Sequence, residues 1–258
     1  MKKMLRLLLL MPLWIGCQSS DPSEFGIVPN HVAYDDEAPL KIKASCNDAN
    51  CKEPSYEERY TYTTEGKLSK VETFSRDASG VLQMQSYTDY FFDVNGITTG
   101  KIQYYRHGSL PGWVAYYESE FVYKDGVLKF EKTYFNRHQP EQKVLTGAVE
   151  YEYKNGKKVG QRWTDEHNQL YRRVEYGYNN AVVNLETWYD QKNNVIRIFE
   201  HKFSGNRRQI GEYLLNSKEL LAMIEKTYDE KGRLATQETK VHNPLLCAMT
   251  PGLIKYTY

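Results

Sequence analysis

Chemistry in this 258-residue chain would have to be built from six histidines, four cysteines and 33 acidic side chains. The histidines do not converge in any ligand or triad spacing. His107 and His138 each follow an arginine in similar stretches, which shared repeat ancestry explains without catalysis. Asp165, Glu166 and His167 are consecutive; two carboxylates and an imidazole in one loop could hold a cation, and an exposed polar turn is the alternative. Glu118/Glu120 and Glu150/Glu152 each share a strand face. Glycoside hydrolysis needs two carboxylates about 5–9.5 Å apart across a cleft, a separation that a sequence does not show. No serine sits in a nucleophile-elbow context, and no glycine-rich loop is shaped for phosphate. No catalytic, metal or cofactor set stands out, so a non-enzymatic protein without a cofactor is expected.

Cys46 and Cys51 flank Asn47-Asp48-Ala49-Asn50, a turn-forming run that can bring them together. A bridge across so short a loop stabilises by about 2 kcal/mol in the chain-entropy model. Pairing of either with Cys247 is the alternative, and one thiol is left over in any case. Zinc lacks a second ligand pair at suitable spacing.

The first residues set the compartment. Lys2, Lys3 and Arg6 precede an apolar run from Leu7 to Ile15, the pattern of an export signal. A spanning helix needs about 20 apolar residues, and this run is too short. Gly16-Cys17 then resembles the end of the lipobox of bacterial lipoproteins, although Trp14 occupies the position where leucine is usual. The resemblance implies that Cys17 becomes the acylated first residue, palmitate among its chains. Gln18 in place of aspartate after it implies the outer membrane. An ordinary signal peptide with an incidental cysteine is the other reading. Several acyl chains on one cysteine make a stable membrane attachment.

Lysine plus arginine nearly balance the acids, for a formal net charge of +1. Nucleic-acid binders concentrate positive charge to neutralise phosphates. Here Lys157-Lys158, Arg172-Arg173 and Arg207-Arg208 are isolated pairs among acids, so nucleic acid is not an expected partner.

The elements that would position any site are announced by a repeat. Tyrosine occurs 22 times, phenylalanine 9 and tryptophan 4. An aromatic, any residue, then an aromatic recurs at Tyr60/Tyr62, Tyr90/Phe92, Phe121/Tyr123, Tyr151/Tyr153, Tyr176/Tyr178 and Tyr256/Tyr258, with His201/Phe203 and Lys226/Tyr228 as variants. The steps are about 30 residues three times, about 25 three times, then about 30, in the range of repeated supersecondary units. Turn dipeptides follow most pairs, among them Asn95-Gly96, Asp125-Gly126 and Asn155-Gly156. Asn-Gly and Asp-Gly supply the positive φ angles of tight hairpins. Flanking residues alternate with period two, as Val149, Tyr151 and Tyr153 do against Glu150, Glu152 and Lys154, the mark of half-buried strands. Each unit reads as strand, tight turn, strand, looser turn. Only Ser217 to Ile224 offers a weak helix signal, and a strand suits it equally.

A buried aromatic ring withdraws roughly 150–250 Å² from water and gains about 0.5–1.5 kcal/mol more from an aromatic neighbour. A tyrosine row beside the tight turns is therefore expected to staple successive hairpins, rather than to form a ligand-binding row.

Tyr228-Asp229-Glu230-Lys231-Gly232-Arg233-Leu234 resembles the core of the YD (RHS-type) repeat, and Tyr62 through Leu68 and Phe92-Asp93 through Gly96 resemble it in part. The similarity covers about residues 56 to 258. In long members such repeats form β-strips that coil into shells, and no catalytic residues come with them.

The expected organisation is a signal peptide over 1–16, a lipidated cysteine with flexible tether and small cap over 17–55, and a YD-like β-domain over 56–258. The expected fold is all-β, an antiparallel meander of Tyr-rich hairpins, strongly curled or barrel-like. An open sheet of about fifteen strands would curl or split. A transmembrane barrel is not expected, because Glu118 and Glu120 beside Lys124 cannot face lipid. The long apolar loop from His242 to Gly252 is expected to plug an open end or to meet a partner. The functional expectation is an envelope-anchored binding scaffold for a glycan or envelope protein. A carrier of a lipid or other apolar ligand, which requires an internal apolar cavity, and an enzyme acting on envelope polymers are the alternatives.

Overall fold

The computed structural model describes residues 39–46, 51, 53–106, 112–136, 143–179, 182–215, 219–245, 249 and 251–258. Sixteen strands follow one another: β1 Ile42–Cys46, β2 Tyr56–Tyr62, β3 Leu68–Arg76, β4 Leu82–Phe92, β5 Thr98–Arg106, β6 Trp113–Lys124, β7 Val127–Asn136 and β8 Lys143–Lys154. They continue as β9 Lys157–Asp165, β10 Leu170–Asn179, β11 Val182–Asp190, β12 Val195–Ser204, β13 Arg207–Tyr213, β14 Leu220–Tyr228, β15 Leu234–Val241 and β16 Gly252–Thr257. Every strand pairs antiparallel with its sequence neighbour, and β1 pairs with both β2 and β16, so the meander closes into a barrel. The segment with the weak helix signal contributes to β14.

The domain boundary differs from the expected one. β1 lies inside 17–55, the stretch expected to be tether and cap, and it is the closing stave of the barrel. Closure explains the placement, because without β1 the ladders of β2 and β16 would be left as open edges. Cys46 ends β1 and is bonded to Cys51, with Cα atoms 5.1 Å apart.

The turns carry the repeat chemistry. Asp125-Gly126 and Asn155-Gly156 are two-residue loops with positive φ at both positions, the type I′ geometry that twists with its strands. A second turn recurs around Asp77, Asp93, Asp165, Asp190 and Asp229. In each, the aspartate Oδ1 accepts the backbone N–H groups of the residues two and four places on. Thr63 opens a variant through its hydroxyl, which accepts from Lys67 N. Three of these turns, at Asp77, Asp165 and Asp190, close the end expected to be looser. Of the three, only Asp190 directly follows an aromatic, Tyr189.

On the tight-turn side the ladder skips one residue immediately before Tyr62, Phe92, Tyr123, Tyr153, Tyr178 and Tyr228. Repeated bulges raise local twist and help a sheet curl to closure. The second aromatics then staple hairpins as expected. Tyr62 donates to Leu40 O at 2.9 Å, Tyr178 to Lys158 O at 2.6 Å and Tyr258 to Leu234 O at 2.8 Å. The cation following the turn glycine covers a ring of the next unit: Lys67 over Phe92 at 5.8 Å, Lys157 over Tyr178 at 5.2 Å and Arg233 over Tyr258 at 4.5 Å.

One face of the wall is the inner one. Val174, Ile210, Glu212, His201 and Ser119 on it are buried, whereas Arg59, Glu120, Arg162, Glu175 and Lys202 on the other are exposed. The first members of the aromatic pairs share the inner face, at Tyr60, Tyr90, Phe121, Tyr151, Tyr176, His201, Lys226 and Tyr256, one on each even-numbered strand. Sixteen strands set about 4.8 Å apart and tilted by about 40° would enclose roughly 30 Å if round. Side chains do not fill such a width, and only seven apolar residues among the described ones are buried. The packed part of the interior lies toward β10–β15, where Val174, Ile210, Leu221, Ala222, Tyr228 and Leu234 gather.

Candidate functional site

The inner face divides into a polar and an apolar half. Between β4 and β7 a recess of about 400 Å³ is lined by Thr88, Tyr90, Lys101, Gln103, Tyr117, Ser119, Glu131 and Thr133. Register places these side chains opposite one another: Thr88 faces Gln103, Tyr90 faces Lys101, and Lys101 faces Ser119, which faces Thr133. Lys101 Nζ lies 2.8 Å from Glu131 and sits over Phe121 at 5.6 Å. Tyr151 donates to Glu131 at 3.2 Å.

Further round, Tyr60 donates to Glu58, which also pairs with Lys43 at 3.1 Å. Burial by itself would raise the Glu58 pKa, but the Tyr60 hydrogen bond and Lys43 outweigh it and hold the carboxyl below its ordinary range. The inner tyrosines move the other way. Burial pushes Tyr60, Tyr90, Tyr151 and Tyr176 up, with Glu58, Glu131 and Glu186 adding to it at Tyr60, Tyr151 and Tyr176 respectively. These phenols therefore stay neutral donors at any ordinary pH.

The apolar half holds a larger cavity, about 710 Å³, lined by Arg172, Glu186, Trp188, Ile196, Arg197, Phe199, Ile210, Glu212, Ile224 and Met249. Its aromatic wall is Trp188 and Phe199, 5.6 Å apart between centroids, with Trp163 stacked beside Trp188 at 6.1 Å. Ile210 and Ile224 face each other across β13 and β14. Met249 comes from the apolar loop between β15 and β16 and lines the cavity. Leu245 of the same loop is 94% exposed, and Cys247 lies outside the described residues.

Three of the four charges in this cavity are matched within the wall. Glu212, 1% exposed, pairs with Arg197 at 2.7 Å. Glu186 Oε1 lies 3.2 Å from His201 Nε2, and its Oε2 accepts the Trp188 indole N–H at 3.3 Å. Arg208 can only donate, so His201 Nδ1 accepts from it at 2.7 Å and the ring proton sits on Nε2, toward Glu186. That nitrogen is buried and makes no full hydrogen bond. With its single proton on Nε2 the imidazole is neutral, so the contact sets a ring dipole against the carboxylate. Burial works to raise the Glu186 pKa, but His201, Trp188 and the Arg208 charge more than offset it and keep the carboxyl below its usual value. The fourth charge, Arg172, rests its guanidinium over Trp188 at 5.3 Å. No described carboxylate lies within 4 Å of it.

The residues weighed from sequence fall elsewhere. Asp165 is a turn closer, its Oδ1 engaged by His167 N at 3.0 Å and Gln169 N at 2.8 Å, and His167 is exposed beside Glu166. Glu118 and Glu120 lie on the outer face, engaged by Lys143 and Tyr134. Among the described residues no three His, Cys, Asp or Glu side chains converge as metal ligands. Cys17, His107 and His138 lie outside the described residues. Sequence reasoning missed the cavity residues Trp188, Arg172 and Phe199, and Trp163 stacked beside them. The one usable signal was that Trp163 and Trp188 are offset by the same step as Tyr151 and Tyr176.

No family model matches the chain, and no curated protein matches it. Similar solved structures include a porin-like protein from Bacteroides uniformis, at 8% identity over 85% of this chain and 96% of that one, TM-score 0.38. A porin-like protein from Bacteroides vulgatus gives 8% identity over 85% and 98%, TM-score 0.36. A protein of unknown function from Bacteroides fragilis gives 18% identity over 58% and 91%, TM-score 0.33. Likeness at this level carries no functional argument, which rests on the cavity itself.

Proposed function

We propose that this protein is a non-enzymatic, envelope-anchored binding protein that takes its ligand inside the barrel. The observation that carries the reading is the 710 Å³ cavity, whose aromatic and aliphatic wall carries four charged side chains, three of them matched within the wall. Small-molecule sites have this size and make-up. The anchor rests on the Lys2-to-Cys17 pattern and its resemblance to the lipobox. Attachment by acyl chains, with the barrel outside the bilayer, agrees with the outer face. Arg59, Arg162 and Lys202 are exposed there, and an arginine or lysine facing lipid at the bilayer midplane costs about 2–4 kcal/mol.

The test uses the purified mature protein and the neutral probe N-phenyl-1-naphthylamine. Saturable binding near one per barrel is expected, and Ile224→Trp, which fills the cavity, should abolish it while leaving the circular dichroism unchanged. Binding that is absent, or unaffected by a folded Ile224→Trp variant, overturns the reading.

A second reading, capture of a glycan, is favoured by the polar recess, where Tyr90 and Tyr117 offer ring faces among hydroxyl, amide, lysine and carboxylate groups. Titration calorimetry with envelope oligosaccharides, lost in Tyr90→Ala, would support it.

A further inference from the structure

The cavity is apolar, yet it presents one cation that the wall does not neutralise. Glu212 is met by Arg197, and Glu186 by His201 and the charge of Arg208. Arg172 has Trp188 beneath it, is exposed to the interior space, and has no carboxylate in reach among the described residues. A guanidinium presents a fork of donors that matches carboxylate oxygens. A bare one at the side of an apolar cavity selects a ligand with an anionic end and an apolar body.

Resting on the lumenal-binding reading above, we propose that the ligand is a single-chain amphiphile with a carboxylate head, of the long-chain fatty acid class. Its head pairs with Arg172, and its chain lies along Trp188 and Phe199 toward Ile210, Ile224 and Met249. Trp188 does two things in this arrangement. Its face holds the guanidinium by a cation–π contact, and its body forms part of the wall against which the chain packs. Arg197 balances Glu212, and Arg208, acting through His201, balances Glu186, so the remainder of the wall is electrically neutral toward the chain. Selectivity follows from charge: a neutral alcohol of the same length leaves Arg172 unpaired, and a cationic amine places like charge against it.

The experiment measures displacement of N-phenyl-1-naphthylamine from the full mature chain by palmitate, hexadecanol and hexadecylamine, each below its aggregation threshold. Palmitate should compete at least about tenfold better than hexadecanol, the scale of one charge-assisted hydrogen-bonded pair, and hexadecylamine should compete least. Arg172→Gln should weaken palmitate by about tenfold or more and leave hexadecanol within about twofold. Equal effects of Arg172→Gln on palmitate and hexadecanol, or no preference of the native protein for palmitate, overturn the carboxylate assignment while lumenal binding stands. Failure of the probe itself to bind, with the native protein folded, overturns the lumenal reading and this proposal together. Arg172→Lys separates charge from shape: palmitate affinity retained in part supports pairing with the head, whereas loss equal to that in Arg172→Gln with hexadecanol also weakened assigns Arg172 to packing alone and refutes the proposal.

Discussion

Removal of the turn aspartate at Asp229 tests the physical meaning given to the repeat. Its Oδ1 accepts the N–H groups of Lys231 and Arg233, both at 2.9 Å, and its Oδ2 accepts Arg233 Nε at 2.8 Å. Asp229→Ala deletes the side-chain acceptor of two backbone N–H groups, each hydrogen bond worth about 0.5–1.5 kcal/mol net. Water reaches this surface turn and replaces part of the loss, so about 1–2 kcal/mol is expected, in the range of aspartate caps elsewhere. For a domain of this size that is roughly 3–6 °C in Tm. Asp229→Asn keeps the amide oxygen and loses mainly the half-exposed contact to Arg233, worth about 0–1 kcal/mol, so it should cost less than half as much. Burial works to raise the Asp229 pKa, but the Arg233 side chain and the two N–H donors hold it below the ordinary value. A carboxyl depressed in the folded state contributes above its unfolded pKa of about 3.9 and stops contributing as pH falls through the folded value. The gap between native protein and Asp229→Ala should therefore be full at pH 7 and narrow in strong acid. Urea unfolding followed by tryptophan fluorescence gives each quantity. A loss below about 0.3 kcal/mol in Asp229→Ala, or equal losses in the alanine and asparagine variants, would refute the assignment of the turn to the Oδ1 acceptor.

Three further outcomes are expected. Arg197→Met leaves the buried Glu212 carboxylate without its pair and should cost about 3–5 kcal/mol, while Arg197→Met with Glu212→Leu should return the urea midpoint to near the native value or above. Tyr258→Phe removes the hydrogen bond to Leu234 O and leaves the Arg233 stacking, so a loss of about 1 kcal/mol is expected by the same measurement. Cys17→Ala should abolish palmitate labelling and move the protein to the soluble fraction; retention in carbonate-washed membranes would mean that the outer wall itself faces lipid.

Much of the architecture was legible because it is encoded locally. Period-two alternation fixes which side chains share a face, and Asp125-Gly126 and Asn155-Gly156 fix hairpins through the positive φ that few other residues tolerate. The first aromatics from Tyr60 to Tyr256 could be placed on one row because a meander maps a sequence period directly onto neighbouring strands. The turn at Asp165 could be weighed as a cation site only because a sequence does not show where a carboxylate oxygen is already engaged.

What tertiary structure alone decided is closure and its consequences. Whether a curled sheet stays open depends on long-range pairing of β1 with β16, and five residues upstream of the repeat carry no periodic signal to announce it. Once the wall closes, the inner face becomes a lumen, and strands far apart in sequence bring Arg172, Trp188, Ile224 and Met249 around one cavity. Alternation says only that these side chains share a face. The charge left unmatched at Arg172 depends on distances across the barrel wall, which no spacing in the chain contains.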